Sequence, residues 1–108
     1  MAMEEGEFLR LAEDCLSKVA GWLEELDPDE VDYSTADGVV TIEFPDDVRY
    51  ILSRQAATKQ VWLAAGAQGF HYTYDSKGKV WLDDKDGHEL FSKLAEVVGS
   101  KIGQELEF

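Results

Sequence analysis

The sequence has a single cysteine, Cys15, which excludes an internal disulfide and any cysteine-rich metal site and suits a reducing compartment. Basic side chains are scarce. Ten Lys and Arg stand against 23 Asp and Glu, a formal net charge of −13. Phosphate binding requires the opposite sign, so DNA and RNA are excluded as direct partners. No apolar run approaches the roughly 18 residues of a membrane span, so no membrane partner is expected. The start, Met1-Ala2-Met3-Glu4-Glu5, is acidic. It has neither the basic and apolar regions of a secretion signal nor the Arg-rich, acid-poor character of an organelle import signal. Catalytic signatures are missing too. There is no nucleophile–base pair, no phosphate-cradling glycine loop, and no carboxylate pair isolated in an apolar setting, so an enzyme is not expected.

What is present is enough apolar sequence, 44% of 108 residues, for one folded domain spanning 1–108. The charge is lopsided. Residues 1–47 hold 15 acidic side chains and two basic ones, Arg10 and Lys18, whereas residues 48–108 are balanced. Such a field draws cations or a basic protein surface; the plainer reading is solubility alone.

Phe8, Ala12, Cys15, Leu16, Val19, Leu23 and Leu26 recur at helical spacing and predict an amphipathic helix over 5–26, ended by Asp27-Pro28-Asp29. Strands are expected at Val31–Thr35, Val39–Phe44, Val48–Ser53, Gln60–Ala65, Phe70–Asp75 and Lys79–Leu82, joined by short turns such as Asp37-Gly38 and Ser76-Lys77-Gly78. A closing helix follows, with Asp86 as N-cap, Glu89 completing a capping box, and an apolar face of Leu90, Phe91, Leu94, Val97, Val98 and Ile102. The fold class is therefore α+β: a two-layer α/β sandwich with both terminal helices on one face of an antiparallel sheet of five to six strands.

Two surfaces stand out. Glu24, Glu25, Asp27, Asp29, Glu30 and Asp32 gather where the first helix ends, a position at which carboxylates oppose the helix dipole. Carboxylates suit Fe³⁺, and also Fe²⁺, Mn²⁺ and Ca²⁺, but without histidine or thiolate they form no tight cage. Glu4, Glu5, Glu7, Glu13 and Asp14 extend the cluster along the helix. An EF-hand is excluded because the glycine-punctuated loop and its distal glutamate are absent. The second surface is a strand face. Alternation sends Val61, Leu63 and Ala65 to one side and Gln60, Trp62 and Ala64 to the other. Trp62 then reads either as a binding anchor or as a ring lying partly covered on the sheet. His71 is a partner contact, an occasional metal ligand or a plain surface residue. His88 reads as a helix-start residue, Cys15 as inert packing, and Trp22 and Trp81 as packing.

The string Ser53-Arg54-Gln55-Ala56-Ala57-Thr58-Lys59-Gln60-Val61-Trp62-Leu63-Ala64, then Gly69-Phe70-His71-Tyr72 and Lys79-Val80-Trp81, resembles the frataxin family, its bacterial members above all. With the acidic first helix, the likeness runs from about Glu7 to the C-terminus. Three features depart from the pattern: Ala57 where proline is common, Ala20 and Gly21 where acidic residues are, and Leu9 where some members have histidine. The acidic ridge is thinner for it. The resemblance implies an accessory of iron–sulfur cluster assembly that binds Fe²⁺/Fe³⁺ weakly at several surface sites and has no organic cofactor. Its metal residues would be Glu24, Glu25, Asp27, Asp29, Glu30 and Asp32. Its partners would be the cysteine desulfurase and the scaffold protein, met through Ser53, Arg54, Gln55, Gln60, Trp62 and His71. It also implies a monomer that iron can drive into oligomers, in the bacterial cytoplasm, or in the mitochondrial matrix for a mature eukaryotic form. The alternative is a generic acidic module that binds divalent cations or docks on proteins without a specific iron role.

Overall fold

The computed structural model describes residues 3–108; Met1 and Ala2 of the acidic start lie outside it. The order is α1 (Glu5–Glu24), β1 (Asp32–Ala36), β2 (Val39–Glu43), β3 (Arg49–Gln55), β4 (Gln60–Ala65), β5 (Gln68–Asp75), β6 (Val80–Asp83) and α2 (Leu90–Ile102). The six strands form one antiparallel meander in sequence order, as their short connections require. The expected two-layer architecture is what forms, with the sheet at six strands.

The helical stripe is the core face of α1: Phe8, Ala12, Cys15, Leu16, Val19, Trp22 and Leu23 are all buried. Across from them lie the inward positions of the sheet, including Val40, Ile42, Leu52, Val61, Leu63 and Tyr72, and from α2 come Leu90, Leu94 and Val98. Phe8 meets Trp81 edge-on at 6.2 Å and so ties α1 to β6. α1 stops two residues before the expected end. Glu25 N and Leu26 N turn back to the carbonyls of Trp22 and Leu23, a tightened last turn before Pro28.

The start of α2 corrects the sequence reading. Asp86 is not its N-cap. Glu89 is, its carboxylate accepting from Phe91 N at 2.7 Å and Ser92 N at 3.1 Å. A bridge between Leu82 and Glu89 keeps residue 89 extended, which bars a helix from starting earlier. Asp86 instead closes the β6–α2 turn, where its Oδ1 accepts from His88 N at 3.0 Å. β5 begins two residues early because Gly66, at φ 65°, allows a two-residue turn with Ala67.

After α2 the chain folds back over both helices. Gln104 N donates to Gly99 O, and a Cβ at Gly99 would lie 2.5 Å from Gln104 O, so only glycine permits this path. The Trp22 indole donates to Glu107 O at 2.8 Å, and Phe108 stacks on Phe91 and on Trp22, with centroids at 4.1 and 5.1 Å.

Candidate metal ridge and docking face

The end of α1 presents the acidic cluster to solvent. Glu24, Glu25, Asp27, Asp29 and Asp32 are exposed and Glu30 is half-buried. Local geometry uses some of their oxygens. Asp27 Oδ1 accepts from Asp29 N at 2.9 Å, Asp32 Oδ1 from Tyr33 N at 2.8 Å, and Glu30 Oε2 from Gln104 Nε2 at 2.6 Å. Glu24 Oε2 accepts the Tyr33 hydroxyl at 2.6 Å, a bond to the carboxylate that raises the phenol's pKa. These bonds restrain four of the six side chains and engage one oxygen of each.

The ridge is broader than its sequence run. β1 and β2 pair so that Asp32 lies directly opposite Glu43, two like charges across a strand pair, with Arg49 on the other side of Glu43, its Nε 3.7 Å from Glu43 Oε1. Asp46 lines one cleft with Asp29 and Glu30, and its carboxyl is held below its ordinary value first by the Lys101 ammonium and then by Val48 N. Glu43 could have been found from sequence by counting back from the Asp37-Gly38 turn, because a two-residue hairpin fixes the pairing. Asp46 could not, because its place depends on how α2 packs.

The ridge carboxylates do not converge on a point. Among the described residues, the one set of three or more metal-capable groups whose ligand atoms lie within 4.8 Å of one another is Asp83, Asp86 and His88. That set is already occupied by its own bonds. Asp83 Oδ2 accepts from Lys85 N and Asp86 N, and His88 Nδ1 lies 2.5 Å from Asp86 Oδ1. His88 Nε2 lies 2.8 Å from the hydroxyl of buried Tyr72. His88 is thus more than a helix-start residue: it braces β5 against the β6–α2 turn.

The outer sheet face carries the second surface. β3, β4 and β5 align Ser53, Trp62 and His71 in one row, with Gln55, Gln60 and Thr73 in the next. The Trp62 and His71 rings stack with centroids 4.2 Å apart and planes 15° apart. Trp62 is half-buried and His71 exposed. Ile51, 40% exposed on the same face, adds an apolar contact that sequence reading passed over. Arg54 does not join them. Its register partner is the fully buried Val61, so its side chain leaves on the helix side, where the guanidinium reaches Asp37 at 3.3 Å. Strict alternation along β3 separates it from Ser53 and Gln55.

The frataxin-like domain family matches residues 1–104. The chain belongs to the frataxin family. It is 40% identical to the iron–sulfur cluster assembly protein CyaY of Azotobacter vinelandii over all of this chain and 97% of that one. To the protein of the same name in Dechloromonas aromatica it is 38% identical, covering 94% and 95%. Among solved structures, frataxin from Psychromonas ingrahamii superposes with a TM-score of 0.87 at 30% identity, covering 97% of both chains. Trimeric frataxin from the yeast Saccharomyces cerevisiae, complexed with ferrous iron, gives 0.75 at 29% identity, covering 96% of this chain and 90% of that one. Frataxins are accessories of iron–sulfur cluster assembly rather than enzymes. No helix among the described residues of this frataxin is long and apolar enough to cross a membrane.

Proposed function

We propose that this frataxin serves iron–sulfur cluster assembly in the bacterial cytoplasm by holding Fe²⁺ or Fe³⁺ loosely on its acidic ridge and docking on the cysteine desulfurase and scaffold. The ridge consists of Glu24, Glu25, Asp27, Asp29, Glu30 and Asp32, extended by Glu43. It meets iron as cargo and a basic partner surface as a counter-charge. Ser53, Gln55, Gln60, Trp62 and His71 pack into the assembly complex, and Arg54 contributes by orienting the Asp37-Gly38 turn. The protein is a monomer in this reading, and bridging of exposed carboxylates by iron is what would join copies.

The observation that carries the reading is that Glu24, Glu25, Asp27, Asp29 and Asp32 are exposed and Glu30 half-buried, that among the described residues each accepts at most one hydrogen bond, and that they do not converge. Such a surface binds several ions weakly, exchanges them quickly and yields them to a scaffold; a closed cage would do the reverse. Anaerobic titration of Fe²⁺ into isotope-labelled protein, followed by amide NMR with Ca²⁺ and Mg²⁺ as controls, tests it. Broadening confined to residues 24–32, residue 43 and the neighbouring turn of α1 is expected. Unchanged spectra at millimolar iron would remove the metal role and leave an acidic docking module.

A further inference from the structure

Asp84, in the turn after β6, is linked to both halves of the Trp62–His71 stack, to His71 directly and to Trp62 through Gln60, without belonging to the docking row. Its backbone N–H donates to His71 O at 3.0 Å. Its side chain receives two donors: Thr73 Oγ1 at 2.8 Å on Oδ1, and Gln60 Nε2 at 2.5 Å on Oδ2. Gln60 Nε2 also donates to Thr73 Oγ1 at 3.2 Å, and Gln60 Oε1 accepts the Trp62 indole N–H at 2.8 Å.

The donor directions make this chain one-way. A carboxylate only accepts, so Asp84 requires the Thr73 hydroxyl proton and the NH₂ side of the Gln60 amide. With its NH₂ committed, Gln60 must turn its carbonyl oxygen toward Trp62. An indole N–H only donates, so that oxygen is the partner it needs. A flipped amide would set donor against donor at Trp62 and acceptor against acceptor at Asp84. The Asp84 side chain therefore selects one amide orientation, the amide fixes the indole, and the indole lies flat on His71.

We propose that Asp84 is a positioning residue for the docking face: through Gln60 and Thr73 it holds the Trp62 indole, and through its own backbone it holds His71, so that the stacked pair is ordered before a partner arrives. This rests on the docking reading above and names the residue that prepares it. An anchor ordered in advance loses less freedom on binding, and losing that order weakens docking about two- to tenfold, the size of one mobile side chain. Neither of the two residues it orders lies near it in sequence, and none of its bonds enters the core.

The test has two arms. In the first, the Trp62 indole N–H is followed by NMR in wild type, Asp84→Ala and Asp84→Asn, its signal assigned by its absence in Trp62→Phe. Asp84→Ala is expected to move the signal toward that of a solvated indole, speed its hydrogen exchange and remove the Trp62–His71 ring contacts. Unchanged circular dichroism would show that the fold persists. Asp84→Asn, which keeps an acceptor for Gln60, is expected to recover most of the wild-type signal. In the second arm the affinity for purified cysteine desulfurase is measured for the same proteins and for Trp62→Ala. Weakening by Asp84→Ala within the stated range, with recovery in Asp84→Asn, supports the proposal. An indole signal indifferent to Asp84→Ala overturns it, and so does a loosened indole that docks as well as wild type while Trp62→Ala does not. If Trp62→Ala also docks normally, the docking reading fails instead, and the first arm alone decides whether Asp84 positions the ring.

Discussion

Cys15 shows how far a single side chain's chemistry is set by its surroundings. It sits on the buried stripe of α1, 2% exposed, and burial, aided by the charge of Glu89, pushes its thiol up to about 12. The nucleophilic form of cysteine is the thiolate, which is then absent at neutral pH. The native protein should resist alkylation by iodoacetamide at pH 8 over hours, and the reaction should complete within minutes once denaturant is added. Fast modification of the native state, read by mass spectrometry, would mean that α1 opens far more often than its packing implies. The sign for stability follows from the same shift. A raised folded pKa contributes nothing adverse below the ordinary value of 9.0, and stability is lost as pH rises above it, because only the unfolded chain ionises freely there.

At the scale of elements, legibility divides along how local the deciding force is. The stripe of α1 and the alternation of β4 were readable because burial itself imposes the spacing, and β4 occupies the residues expected, Gln60–Ala65. The start of α2 was not. Asp83, Asp86 and Glu89 recur at three-residue steps, so the capping pattern fits more than one frame, and the bridge from Leu82 to Glu89 selects between them. The site divides the same way. The run from Glu24 to Asp32 is visible in sequence, whereas Glu43 needs the hairpin register and Asp84 needs a bond spanning 24 residues. Arg54 was grouped with Ser53 and Gln55 through the family resemblance, and the pleat sends its side chain to the other face. The end of α1 carries a prediction of its own. It has no basic residue in its last turn, and Glu24 and Glu25 sit where the helix dipole repels them. Combined Glu25→Gln and Asp29→Asn should raise Tm by about 1–4 °C while weakening the iron response. A lowered Tm would mean that these carboxylates stabilise the turn and that their place needs no functional cause.

On the scale of the whole molecule, the 13 excess negative charges all belong to the first 47 residues, of which the described ones carry α1, its exit turn and the β1–β2 hairpin. This half repels itself when folded, and it is also the half that would face iron and a basic partner. Salt therefore acts on folding and on docking with opposite signs. Among the described residues, the attractive Lys and Arg pairs are Lys101 with Asp46, Lys93 with Glu96, Arg54 with Asp37 and Arg49 with Glu43. Against them stands crowding of like charge along the ridge, so screening removes more repulsion than attraction. Raising NaCl from about 20 mM to about 500 mM shortens the Debye length from roughly 20 Å to about 4 Å. Tm should then rise by several degrees, whereas affinity for the desulfurase should fall about tenfold or more, because there the same charges attract. Millimolar Ca²⁺ should raise Tm further at equal ionic strength, since a divalent ion bridges carboxylates that a monovalent one only screens. Scanning calorimetry and a binding isotherm across the same salt series check both signs. A Tm that falls with salt would mean that the ion pairs outweigh the ridge. A desulfurase affinity indifferent to salt would shift the weight of docking from the ridge to the Trp62 face.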